Sequence, residues 1–117
     1  MARILIAEPH ADTSALLAFV VRRLGHEPVL YDGSPEQAAG ADALVLEPGD
    51  GGALALAARL RERWPELPIV CTSIFPRWAE ADAIRPDAYL VKPFPLLELQ
   101  RVLARALDRR RGDAVPA

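Results

Sequence analysis

Apolar and polar positions follow two rhythms along the chain. Short apolar runs occur at Ile4-Leu5-Ile6-Ala7, Pro28-Val29-Leu30-Tyr31, Ala43-Leu44-Val45-Leu46, Ile69-Val70-Cys71-Thr72 and Ala88-Tyr89-Leu90-Val91, each closed by a charged or turn-forming residue. Unbroken runs of this length predict strands buried on both faces. Between them the rhythm becomes helical. Leu17, Val20, Val21 and Leu24 share one stripe, with Asp12, Thr13 or Ser14 as the predicted N-cap and Gly25 as the stop. Ser34-Pro35-Glu36 starts a brief helix ending near Gly40, its proline placed where a missing N–H does no harm. Leu56, Leu60 and Trp64 mark a third helix from Ala53, with its arginines and Glu62 on the far side and Pro65 ending it. A weaker helix is predicted around Arg77 to Ile84, and Leu96, Leu99, Leu103 and Leu107 mark a final amphipathic one. Five strand-helix units in succession predict an α/β fold with a doubly wound parallel sheet and helices on both faces.

At 117 residues the chain is long enough for one core that buries about two-thirds of the unfolded surface. No internal repeat or interdomain linker interrupts it, so residues 1–108 read as one domain. The segment 109–117 reads as a tail, either arginines suiting a helix C-terminus or the start of a linker to an output domain. With 51% hydrophobic and 26% charged residues the composition is globular. A net charge of -2 implies neither a nucleic-acid groove nor an acidic-membrane patch. The single cysteine excludes an internal disulfide, no apolar run reaches transmembrane length, and Ile4 to Ala7 is too short for a signal peptide. A cytoplasmic protein is expected.

Candidate chemistry collects at one edge of the predicted sheet. Glu47 closes the third strand and is followed by Pro48-Gly49-Asp50-Gly51-Gly52. In an open parallel sheet the carboxyl ends of the strands form the crevice where ligands bind. Asp50 is a substitute candidate as acceptor or metal ligand, although an aspartate between glycines before a helix is ordinarily a turn or cap residue. His10 lies near the same edge and reads as solvent-facing; His26, after Gly25, reads as structural. Cys71, inside a buried strand, reads as a small hydrophobe. No Cys/His cluster suits zinc, and the glycines after Glu47 lack the lysine and Ser/Thr of a P-loop. Trp64 continues a core stripe, whereas Trp78, beside Arg77, is either packed or an exposed contact point.

The strand-helix alternation, the acid closing strand three, and Tyr89-Leu90-Val91-Lys92-Pro93-Phe94 closing strand five together resemble the receiver domain of two-component response regulators. The resemblance covers nearly the full chain, and Lys-Pro-Phe after a buried strand is its most specific piece. It implies a flavodoxin-like strand order, 2-1-3-4-5, and phosphoryl transfer from a histidine kinase to an aspartate with Mg²⁺ held by neighbouring acids. By position it places Glu8 and Pro9 on the family's acid pair and Glu47 on the phosphoacceptor. Ser73 and Tyr89 fall on the switch pair, and Lys92 on the family's lysine. Lys92 is also the one lysine in a chain whose 14 Lys+Arg are otherwise arginine.

Three departures redirect that expectation. Glutamate is one methylene longer than aspartate, roughly 1.5 Å, and a misplacement of about 1 Å costs on the order of a hundredfold in rate. Pro9 offers no side-chain oxygen to a cation that wants near-octahedral ligands. The loop after Glu47 also reads as shorter than the family's, which supplies a backbone carbonyl to the metal. The expectation is a degenerate receiver, not an enzyme and without cofactor, in which Glu8, Glu47 and Lys92 converge and Lys92 forms a partly buried ion pair with Glu47. That pair is either inert or a standing charge that holds Ser73 and Tyr89 in one switch state. Such a module acts on a protein partner, a histidine kinase or an output protein, through the helix around 77–84, the last strand and the last helix. A homodimer through the last helix is a further expectation, since the sheet need not cover all of Leu96, Leu99 and Leu103.

Two alternatives stay open. One is a working receiver that takes phosphate on Glu47 or Asp50 with a divalent metal, Mg²⁺, held by Glu8, Glu47 and Asp50, autodephosphorylation being its only enzymatic activity. The other is a binder of a nucleotide or flavin in the crevice at the switch point.

Overall fold

A computed structural model describes residues 1–114. Five strands, β1 (Arg3–Ala7), β2 (Glu27–Leu30), β3 (Ala43–Leu46), β4 (Ile69–Ser73) and β5 (Ala88–Val91), form one sheet in the order 2-1-3-4-5. Every pairing is parallel. The connecting helices are α1 (Ala11–Arg23), a 3₁₀ segment (Pro35–Gly40), α2 (Ala53–Arg63), α3 (Ala79–Ala83) and α4 (Leu96–Ala114).

Strand alternation divides the interior into two layers. Ile4, Ile6, Val45, Val70 and Leu90 face α1 and α4, where they meet Leu17, Val20, Val21, Leu99 and Leu103. Leu5, Leu44, Leu46, Ile69 and Cys71 face α2, against Leu56, Ala57 and Leu60. All four residues of central β3 are buried, as a strand covered by helices on both faces must be. Gly25 ends α1 with φ +85°, its N–H bonding the Arg22 carbonyl and the next N–H, of His26, reaching back to Val21. This left-handed position is why glycine stands there.

Several local expectations are corrected. The N-cap of α1 is His10, not Asp12, Thr13 or Ser14, and no side chain caps the helix. The His10 carbonyl instead accepts the first helical bond, from Ser14 at 2.8 Å. Strand β2 starts and ends one residue early, leaving Tyr31 just beyond it. Arg61 of α2 does not lie on the solvent side: its guanidinium bonds the carbonyls of Leu67 (2.8 Å) and Ile84 (2.7 Å) and reaches Asp87 at 3.4 Å. On the last helix Leu99 and Leu103 are fully buried under the sheet and Leu96 is exposed. α4 continues past 108 to Ala114, with Arg109 bonded to Asp87 and Arg110 to the Ala41 carbonyl. Residues 115–117 of the expected tail lie outside the described residues. Among the described residues no helix is long and apolar enough to cross a membrane.

Candidate functional site at the strand tips

Parallel register sets the site. Ala7 pairs with Leu46, and Ser73 with Val91. Glu8, Glu47 and Lys92 therefore each stand one residue past a strand end, and two ladder bonds continue to them: Glu47 N–H to the Ala7 carbonyl (3.0 Å) and Lys92 N–H to the Ser73 carbonyl (2.7 Å). By alternation they share parity with Ile6, Val45 and Leu90, the side of α1 and α4. Lys92 Nζ lies 2.5 Å from Glu8 Oε1 and 3.2 Å from Glu47 Oε1. The Glu8 side chain is fully shielded, and those of Glu47 and Lys92 nearly so. Each carboxylate uses its second oxygen locally: Glu8 Oε2 accepts from His10 N–H and Glu47 Oε2 from Gly49 N–H, both at 3.1 Å.

Ser73 and Tyr89 have the opposite parity, with Cys71, on the α2 side. Neither oxygen of Glu47 bonds either of them. Both are tied instead to the backbone of Phe75, in the loop between β4 and α3. Ser73 Oγ accepts from Phe75 N–H at 3.1 Å, and Tyr89 Oη donates to the Phe75 carbonyl at 2.7 Å. Burial holds the Tyr89 phenol above its ordinary value, opposed by the neighbouring Ser73 hydroxyl. Trp78 is half-buried and packs edge-on against both Phe75 and Tyr89, with ring centroids 6.3 and 6.2 Å apart.

The Phe75 ring also approaches Gly49. A Cβ built on Gly49 would stand 3.0 Å from Phe75 Cδ2 and Cε2 and 3.5 Å from Glu47 Oε2. The ring thus leans on a backbone that only glycine leaves bare, beside a carboxylate that is 6% exposed. This contact between two loops has no periodicity, and the sequence reading missed it.

The remaining candidates scatter. Asp50 is exposed on the turn after β3, where its carbonyl accepts from Ala53 N–H. It borders a cavity of about 360 Å³ that also touches Glu8, Pro9, Tyr31 and Arg59. His10 is exposed, and His26 Nδ1 accepts from Ala2 N–H at 3.2 Å. Cys71 is fully buried, and desolvation pushes its thiol up to about 12. Trp64 is half-buried at the end of α2, with the Arg63 guanidinium 4.8 Å above its ring. Among the described residues no group of three or more His, Cys, Asp or Glu side chains is placed to hold a metal ion. Pro9 supplies no side-chain oxygen, and Glu8 and Glu47 each turn one oxygen to the Lys92 ammonium.

No family model matches the chain. No curated protein matches it either. Solved structures do. NtrX from Brucella abortus in complex with ADP superposes with a TM-score of 0.87 at 24% identity, over 97% of this chain. This chain spans 28% of the NtrX chain. A CheY-like response regulator receiver domain protein from Methanospirillum hungatei JF-1 gives 0.82 at 13% identity, over 97% of this chain and 98% of that one. A response regulator from Thermotoga maritima gives 0.79 at 15% identity, over 92% and 98%. The chain has the fold of response-regulator receiver domains. In that fold the tips of β1, β3 and β5 carry the cluster built from Glu8, Glu47 and Lys92.

Proposed function

We propose that the chain is a receiver-like signalling module of the two-component type that acts by protein-protein contact and takes up no phosphoryl group. The observation that carries this reading is the Lys92 ammonium shared by Glu8 and Glu47. A carboxylate attacks phosphorus only with an oxygen in line with the leaving group and about 3 Å away. Both Glu47 oxygens are instead engaged, one by Lys92 and the other by Gly49 N–H. The module is non-enzymatic, needs no cofactor and works in the cytoplasm. Its partner is a protein, a histidine kinase or an output protein, that docks on the β4–α3 loop, β5 and the start of α4. Ile74, Phe75, Val91, Leu96 and Leu97 all expose apolar surface on those elements.

The test is intact-mass measurement after incubation with Mg²⁺ and a small phosphodonor. The expected spectrum is that of the untreated protein. An adduct of phosphoryl mass, mapped to Glu47 or Asp50, would replace this reading with that of a working receiver.

A further inference from the structure

We propose that Phe75 is a latch: its ring, resting on Gly49, holds Ser73 and Tyr89 in one state, so that the β4–α3 loop is set by an aromatic contact where a receiver would use a phosphoryl group. This rests on the reading of the chain as a module without phosphotransfer and names how its docking surface is fixed.

A chain of contacts joins the ion cluster to the switch pair. At the strand tips Glu47 and Lys92 have the parity of the residues that face α1 and α4, and Ser73 and Tyr89 that of the residues that face α2. The contacts pass round the strand tips. Glu47 Oε2 holds Gly49 N–H, Gly49 Cα bears the Phe75 ring, and the Phe75 backbone takes Ser73 on its N–H and Tyr89 on its carbonyl. The same ring packs against Trp78, the residue that opens α3. Four contacts of one residue thus fix the loop, and each comes from a different element or turn. Phe75 nevertheless remains 50% exposed. The latch can therefore be reached and displaced by an apolar group of a partner, with no chemistry at Glu47.

Amide exchange of Phe75, whose N–H is bonded to Ser73 Oγ, reads the latch. Phe75→Ala removes the ring, and Gly49→Ala adds a Cβ 3.0 Å from two ring carbons, so that the ring must give way although Phe75 is kept. Both are expected to speed exchange of that amide on the order of tenfold, as for weakening of the one hydrogen bond that protects it. Exchange in β1 and β3 should stay unchanged. Phe75→Tyr, which keeps the ring, should retain protection. In the double variant Gly49→Ala should add nothing further, because its effect runs through the ring. Unchanged exchange in Phe75→Ala, or additive effects in the double variant, would overturn the latch while leaving the mass spectrum, and the reading built on it, untouched. A phosphoryl adduct would do the reverse.

Discussion

Glu8 and Glu47 hold Lys92 between them in the same manner: each gives one oxygen to the ammonium and turns the other back to the N–H two residues on. Two carboxylates so close, and so little hydrated, are tolerable together because a cation divides them. Replacing Lys92 leaves both charges without it. Lys92→Met is expected to cost about 3–5 kcal/mol, the usual penalty for stranding a buried charge. Glu8→Gln in that background should recover part of the loss, since it removes one of the two stranded carboxylates. Urea unfolding of the single and double variants measures the coupling, and strict additivity would show that Lys92 does not serve both acids.

At the far end of the sheet Arg61 does structural work that a lysine cannot. Its Nε bonds the Leu67 carbonyl, one terminal nitrogen bonds the Ile84 carbonyl, and the other faces Asp87, which also accepts from Ile69 N–H at 2.8 Å. Burial lowers the Arg61 pKa and the Asp87 charge opposes that shift, so the guanidinium stays paired. An ammonium carries its three donors on one nitrogen and cannot reproduce the guanidinium's planar fork across these separated acceptors. Arg61→Lys should therefore cost about 1–3 kcal/mol through unpaired carbonyls, seen as a lower urea midpoint at unchanged slope.

Cys71 sets an alkaline limit. Desolvation raises its thiol from its usual 9.0 to about 12, so the neutral form is the one the fold favours. A group raised in the folded state contributes its stability below the unfolded value and loses it as pH climbs toward the folded one. Stability should hold to about pH 9 and decline between 9 and 12, with Tyr89, also raised, acting in the same direction. Cys71→Ala should move the alkaline unfolding midpoint upward. At pH 8 the thiol should react with an aromatic disulfide only after unfolding, and rapid labelling of the native protein would contradict its burial.

The strands were legible because Ile4 to Ala7, Ala43 to Leu46 and Ile69 to Thr72 are apolar on both faces, a pattern only a covered parallel sheet can use. Glu8, Glu47 and Lys92 were legible for a related reason: each follows such a run immediately, and parallel register brings strand ends to one edge. Contacts between loops were not. Phe75 on Gly49 depends on a missing side chain 26 positions away, and Arg61 with Asp87 on a helix face that periodicity assigns to solvent. The N-cap of α1 escaped as well, because His10 caps through its carbonyl and leaves no side-chain signature.

Gly25 isolates the conformational term from packing. Its φ is +85°, and a Cβ there would meet nothing within 4 Å. Any loss in Gly25→Ala therefore comes from forcing an L-residue into the left-handed region, which costs about 1–2 kcal/mol. For a domain of this size that corresponds to a fall of roughly 4 °C or more in Tm. Asn visits this region more readily, so Gly25→Asn should lose less. Equal losses for the two variants in thermal unfolding would mean that the site is limited by something other than backbone angle.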